Sequence, residues 1–276
     1  MKINLAKSAG FCFGVKRALE IAFKTASLGG RVFMLSDIVH NEGVIKEIER
    51  IRIMKIRKFD SGKGKILLIP AHGVGIKTID KAHNLGYKIV DATCPMVKEI
   101  HKIARNMEGR GYKIIVIGDK EHDEVRGIVG QLKKKAIVIE DLGDIPSFKI
   151  DKAALVVQST QNFEKVRRIV DALKPRISDL EFFNTICRPT LIKQEEIKKM
   201  PLENEVMLIV GSKNSANTKR LYEISKSLNP RSFWVQSRRD VRLSWFKGIK
   251  SAGVAAGAST PDNVIKEVIE YIKKAG

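Results

Sequence analysis

Cysteine is scarce in this 276-residue chain, and several other features are missing altogether. There are three cysteines, an odd number, so a complete disulfide framework is excluded. Such thiols are expected to stay reduced or to bind metal. No apolar run approaches the roughly 18 residues that a membrane helix needs. The opening "MKINLAKSAG" lacks the apolar stretch of a secretory signal. The expectation is a soluble, cytoplasmic protein with no membrane partner. There is no Pro/Gly/Ser-rich linker and no low-complexity segment. No G-x-x-x-x-G-K-S/T phosphate loop occurs, and no G-x-G-x-x-G opens a helix after a strand. The close C-x-x-C spacing usual for structural zinc is also absent. Basic residues are abundant, 51 Lys+Arg against 31 Asp+Glu for a net charge of +20, yet they form no long tail and no aromatic-interleaved motif. That distribution argues against a nucleic-acid partner. It leaves an anionic substrate, an acidic protein partner or a solvated lysine-rich surface.

What is present is a chain of 43% hydrophobic residues in which short apolar runs alternate with amphipathic stretches. Strands are expected at 3–6, 31–35, 65–70, 87–91, 112–118, 136–140, 154–158, 181–185, 205–211, 232–236 and 253–257. Helical periods fill intervals such as 15–26, 95–107 and 261–275. Strand–helix alternation predicts an α/β fold with mainly parallel sheets. Continuous apolar strands such as "IIVIG" suit sheets covered on both faces.

The cysteines, Cys12, Cys94 and Cys187, cut the chain into near-thirds. Each has the same context: a strand, a short polar turn, the cysteine, then a helix start. Pro95 and Pro189 follow two of them, where a helix N-terminus tolerates proline. A lone cysteine is usually a small buried hydrophobe. Three in one context point instead to thiolates, which helix N-termini favour. Converging thiolates suit zinc or an iron–sulfur cluster. A cubane held by three cysteines leaves one iron open as a Lewis acid.

In open parallel sheets, ligands bind beyond the carboxyl ends of the strands. Those ends carry His40 and Asn41, His72, His122 and Glu124, Ser159 and Thr160, Ser212 to Ser215 with Asn217, and Ser259 with Thr260. Hydroxyls, amides, histidines and helix N-terminal N–H groups together suit phosphate oxygens. The same Ser, Thr and Asn residues are also ordinary helix caps. Glu124 reads either as a first-turn carboxylate or as a proton donor. Its neighbours Glu121 and Asp123 are expected to point elsewhere. His83 and His101 lie inside helical patterns and read as surface or packing residues.

In order, "GFCFGVKRA", "IVHN", "PAHGV", "DATCP", "EHDEVRG", "NTIC", "SKNSANT" and "GASTP" resemble the 4-hydroxy-3-methylbut-2-enyl diphosphate reductase family nearly end to end. The resemblance implies three small α/β domains with mainly parallel sheets, in pseudo-threefold arrangement around a central iron–sulfur cluster. The expected boundaries are 13–94, 95–184 and 185–276, the last completed by residues 1–12. One 4Fe–4S cluster per chain would be bound by Cys12, Cys94 and Cys187. Glu124 would relay protons. His40, His72, Ser215, Asn217 and Ser259 would hold the diphosphate, with Ala216 contributing its backbone. His122 would line the pocket, and Ser159 stands where many members have threonine, with Thr160 as fallback. The implied reaction is a two-electron reductive dehydroxylation yielding isopentenyl and dimethylallyl diphosphates. The implied partner is an acidic electron donor such as ferredoxin or flavodoxin. Gly10 and Gly14 would let the backbone turn near the cofactor, and Phe11 and Phe13 would shield it. Lys193 stands where the family usually has arginine, and Pro189 where it has a small residue.

Overall fold

The computed structural model describes residues 1–275. The strands are β1 (Lys2–Leu5), β2 (Arg31–Met34), β3 (Ile53–Lys55), β4 (Lys65–Ile69), β5 (Lys88–Asp91) and β6 (Lys113–Ile117). They continue as β7 (Ile137–Ile139), β8 (Ile150–Val157), β9 (Ile177–Phe182), β10 (Val206–Val210), β11 (Ser232–Val235) and β12 (Ser251–Ala256). The helices are α1 (Phe13–Ser27), α2 (Glu42–Arg50), α3 (Ile76–Asn84), α4 (Pro95–Gly109) and α5 (Asp123–Val129). After them come α6 (Phe163–Leu173), α7 (Arg188–Glu203), α8 (Ala216–Leu228) and α9 (Asp262–Ile272).

The strands form three four-stranded sheets, ordered β3-β2-β4-β5, β7-β6-β8-β9 and β1-β12-β10-β11. Every strand pairing among the described residues is parallel. Parallel neighbours need a crossover, which the intervening helices supply. The expected α/β class with parallel sheets is therefore the observed one. The third sheet takes its edge strand β1 from the start of the chain, pairing Lys2 with Ser251 and Leu5 with Val254.

The chain divides into two compact units. One comprises Met1–Val15, His40–Val44 and the chain from Cys187 onward; the other comprises Lys16–Val39 and Ile45–Ile186. In the first, β10 is buried along its whole length. Its Val206, Leu208 and Val210 pack with Val254, Phe246 and Val268, while Met207 and Ile209 pack with Ile197 and Leu221 on the opposite face. Alternate side chains of a strand point to opposite faces, so an unbroken apolar run is what a doubly covered strand requires. In the second unit, Ile114, Val116, Ala154 and Val156 pack under Ile100, Ala104 and Ile128. Phe33, Leu67 and Ile69 pack with Ala82 and Tyr87. Each fully buried Leu, Ile or Phe contributes about 1.5–3 kcal/mol.

Strand limits shift in several places, most at β8, which begins at Ile150 rather than 154, and at β9, and one strand is unexpected. The expected strand at 181–185 is β9, Ile177–Phe182, an edge strand buried only at Ile177 whose polar "SDLE" hides its start, while the following residues run on toward Cys187. The three-residue β3 has no counterpart among the expected strands; its lysine-rich surroundings mask it, and Arg52 enters it with φ 61°.

Candidate functional site

Each cysteine sits at the point where a turn gives way to a helix. Cys94 is the N-cap residue of α4 with Pro95 in the first turn, and Cys187 is the N-cap of α7 with Pro189 in its first turn. Cys12 immediately precedes α1. Neither N-cap cysteine uses its side chain for capping. All three are half-buried. In the first unit, Cys12 N–H donates to Ala258 O at 3.1 Å, and Cys187 Sγ lies 3.1 Å from Thr190 Oγ1. In the second, Cys94 N–H donates to Ala71 O at 3.0 Å, and Arg17 donates to Thr93 O at 3.1 Å. Three half-buried thiols at helix starts fit thiolate ligation of a metal group.

The first unit also gathers a polar set. Ser215 N-caps α8, its Oγ accepting Thr218 N–H at 3.3 Å. Ser259 Oγ donates to His40 O at 3.1 Å and lies 3.5 Å from Ser215 Oγ. Asn217, in the first turn of α8, is 3% exposed, and among the described residues neither its Oδ1 nor its Nδ2 has a hydrogen-bond partner. An amide buried without partners is costly, and the cost makes sense if a ligand satisfies it. Ala216 is buried beside it and starts the helix. Two glycines leave the room: a Cβ at Gly257 would come within 2.0 Å of Thr218 Oγ1, and one at Gly211 within 2.6 Å. A helix N-terminus with open N–H groups and an unsatisfied amide is receptive to an anion.

In the second unit, Glu124 lies in the first turn of α5 and is 3% exposed. Its Oε1 accepts Ser159 N–H at 2.6 Å and its Oε2 accepts Ser159 Oγ–H at 2.7 Å. Burial pushes the carboxyl above its usual range; the two Ser159 hydrogen bonds oppose this, and Asp119 adds to it. His122 N-caps the same helix through Nδ1, which accepts Glu124 N–H at 3.1 Å. Its ring meets that of His72 edge-on, 5.6 Å between centroids at 85°.

The other strand-end residues and their neighbours bear out some sequence expectations and correct others. Asn41 is a cap, with Oδ1 accepting from Gly43 and Val44 N–H. Ser212 and Asn214 are engaged by Glu42, whose carboxylate accepts from both at 2.9 and 3.1 Å. Lys213 turns back over the Trp234 ring and donates to Trp234 O. The hydroxyls of "ASTP" do not cap α9, whose N-cap is Pro261; Thr260 Oγ1 donates to Val210 O instead. Phe13 is 69% exposed. Gly10 is required by a φ of +93° and by Asp262, whose Oδ1 would lie 2.6 Å from a Cβ there. Glu121 points to solvent and pairs with Arg126. Asp123 does not turn away: its carboxylate and a ring nitrogen of His72 lie within 4.8 Å. Sequence offered no signal for Asp123, because three consecutive acidic or cap positions look alike at a helix start.

These features define a parallel α/β protein with a half-buried cysteine at each of three helix starts, an anion-receptive helix start and a buried carboxylic acid. The model of the LytB protein family matches residues 3–273, and the chain belongs to that family. A 4-hydroxy-3-methylbut-2-enyl diphosphate reductase of Geotalea daltonii is 39% identical over 276 residues, covering 99% of this chain and 97% of the relative. The reductase of the same name from Aquifex aeolicus is 36% identical over 277 residues, covering 99% and 96%. Among solved structures, the E-1-hydroxy-2-methyl-but-2-enyl-4-diphosphate reductase of Plasmodium falciparum superposes with a TM-score of 0.91 at 27% identity, covering 97% of this chain and 86% of that one. A structure of (E)-4-hydroxy-3-methyl-but-2-enyl diphosphate reductase, described as the terminal enzyme of the non-mevalonate pathway, gives 0.73 at 36% identity, covering 99% and 100%.

Proposed function

We propose that this protein catalyses the reaction for which its relatives are named. Two electrons and two protons remove the allylic hydroxyl of 4-hydroxy-3-methylbut-2-enyl diphosphate as water, giving isopentenyl and dimethylallyl diphosphates. The observation that carries this reading is the threefold recurrence of a cysteine at a helix start, in a chain of the LytB family. Cys12, Cys94 and Cys187 would hold a 4Fe–4S cluster with one iron unligated by protein. When bound, that cluster supplies electrons and a Lewis-acidic site for the hydroxyl. The proposed domains are 13–94, 95–184 and 185–276 with 1–12, a division supported by the one four-stranded sheet that falls within each.

The remaining roles belong to side chains. His40, His72, Ser215, Asn217 and Ser259 bind the diphosphate, the orphaned Asn217 amide and the N–H groups opening at Ala216 facing its oxygens. Glu124 is the proton donor in this reading, and burial, which disfavours its anion, pushes its carboxyl above the usual range. Ser159 fixes both carboxyl oxygens, which orients the acid; Thr160 is instead paired with Gln158 Nε2 at 3.1 Å. His122 sets the helix turn on which Glu124 rides. The net charge of +20 draws in the diphosphate and an acidic electron donor such as ferredoxin or flavodoxin. No helix among the described residues is long and apolar enough to cross a membrane. We place the enzyme in the cytoplasm, where thiols stay reduced.

The test is anaerobic turnover with a chemical reductant, followed by product analysis. Both C5 diphosphates should form, one water being released per substrate. Intact substrate after exposure to reduced, iron-loaded protein would refute the assignment.

A further inference from the structure

Lys193 is 4% exposed, on α7 between Cys187 and the end of that helix. Its ammonium donates to three backbone carbonyls, Ser8 O, Gly10 O at 3.2 Å and Ala256 O at 3.2 Å. An ammonium has three N–H donors, so this group is saturated by neutral acceptors. One turn further along α7, Glu196 accepts from the amides of Lys7 and Ser8 and from Ser8 Oγ. The helix that begins at Cys187 thus grips the segment leading to Cys12 from both sides: Glu196 takes its N–H groups and Lys193 its C=O groups.

Holding carbonyls does not require a charge. A buried charge is expensive unless opposite charge lies close by. Burial pulls the Lys193 ammonium down, negative charge on Cys12, Glu196 and Cys187 pushes it back up, and the balance is about 8. Two of those three groups are the thiols of this unit. We infer that Lys193 is a positioning residue for the Cys12 segment and the buried countercharge for the negative charge that Cys12 and Cys187 bring to their shared ligand. This rests on the iron–sulfur reading above.

The test uses the full chain, purified anaerobically, with iron content and reduction midpoint measured on each variant. Lys193→Gln keeps an N–H donor for the carbonyls but removes the charge. Its midpoint should shift to more negative potential, because the added electron loses an attractive neighbour. Lys193→Arg should stay near wild type in midpoint. Glu196→Gln loosens the same segment while removing a negative charge, so its midpoint should shift the opposite way. Opposite shifts separate charge from packing, since a merely structural defect has no reason to change sign between the two. Wild-type midpoints in both Lys193→Gln and Glu196→Gln, at full iron content, would overturn the countercharge role and leave the cluster reading intact. Shifts of one sign in all three variants would mark Lys193 as packing only. If Lys193→Gln fails to fold, Lys193→Met, which keeps the apolar stem without the charge, takes its place and should shift the midpoint the same way; a wild-type midpoint there overturns the countercharge role. A wild-type chain that holds no iron would instead sink the cluster and this role together.

Discussion

Replacing Glu124 with glutamine removes a proton and leaves a side chain of the same shape in the same buried place. The carboxyl accepts Ser159 N–H at 2.6 Å and Ser159 Oγ–H at 2.7 Å. Glutamine can keep both contacts: its carbonyl oxygen faces the amide, and its NH2 donates to Oγ, which turns from donor to acceptor. The cost to the fold should stay within about 1 kcal/mol, the scale of one neutral hydrogen bond. Turnover should fall by roughly 10²–10⁴-fold, the usual worth of a positioned acid. That is about 2.7–5.5 kcal/mol of barrier. KM and iron content should hold, the signature of an interaction used in the transition state. Stability offers a second readout. Burial raises the Glu124 pKa, with Ser159 opposing and Asp119 assisting. A raised carboxyl stabilises the fold fully below its ordinary value near 4.5. That contribution is lost as pH rises through the folded-state pKa. Glu124→Gln should therefore unfold with wild type in acid and at a higher temperature than wild type near neutrality. The assays are anaerobic steady-state kinetics and thermal unfolding at both pH values. Glu121→Gln is the control, since Glu121 is exposed and paired with Arg126. Normal turnover of Glu124→Gln with iron intact would refute the proton-donor argument.

His101 gives a second pH signature. Burial, with Arg105 and Lys98 assisting and Asp91 opposing, lowers it from 6.5 to about 4. A depressed histidine contributes stability that is present above its ordinary value and lost as pH falls toward about 4. Denaturant titration should show wild type losing about 3 kcal/mol more than His101→Gln across that window; parallel curves would refute it. Asn217→Ala should bind the diphosphate more weakly by about 1.5–3 kcal/mol, one charge-assisted hydrogen bond. Losing an unsatisfied amide should meanwhile leave the substrate-free protein as stable or more so. Calorimetry with diphosphate and monophosphate decides this, and equal affinity for both would mark Ser215 as a cap residue only and leave Asn217 without a ligand role.

Sheet strands were legible because doubly covered strands must be apolar throughout: "EVMLIVG" and "YKIIVIG" could bury nowhere else. The edges were less legible. β3 and β9 sit at sheet margins, where one side needs no apolar partner; β3 reads as loop and β9 as starting four residues late. The cysteine context was readable because a helix start after a strand end is a local pattern. Burial of Glu124, the orphaned Asn217 amide and the Lys193 grip were not readable. Each depends on groups far apart in sequence: Ser159 for Glu124, the Gly211 and Gly257 cradle beside Asn217, and Ser8, Gly10 and Ala256 for Lys193. Ser212 and Asn214 misled for the same reason, since Glu42 reaches them from a distant stretch of the chain.

The shared cluster is the claim on which the chemistry depends, and metal content with and without Cys94 tests it most directly. Anaerobically purified wild type should be brown, with iron and sulfide in equal amounts at about four of each per chain. Cys94→Ser should lose most of that iron and nearly all turnover. A colourless or zinc-loaded wild type, or a Cys94→Ser protein with full iron and normal turnover, would contradict the account.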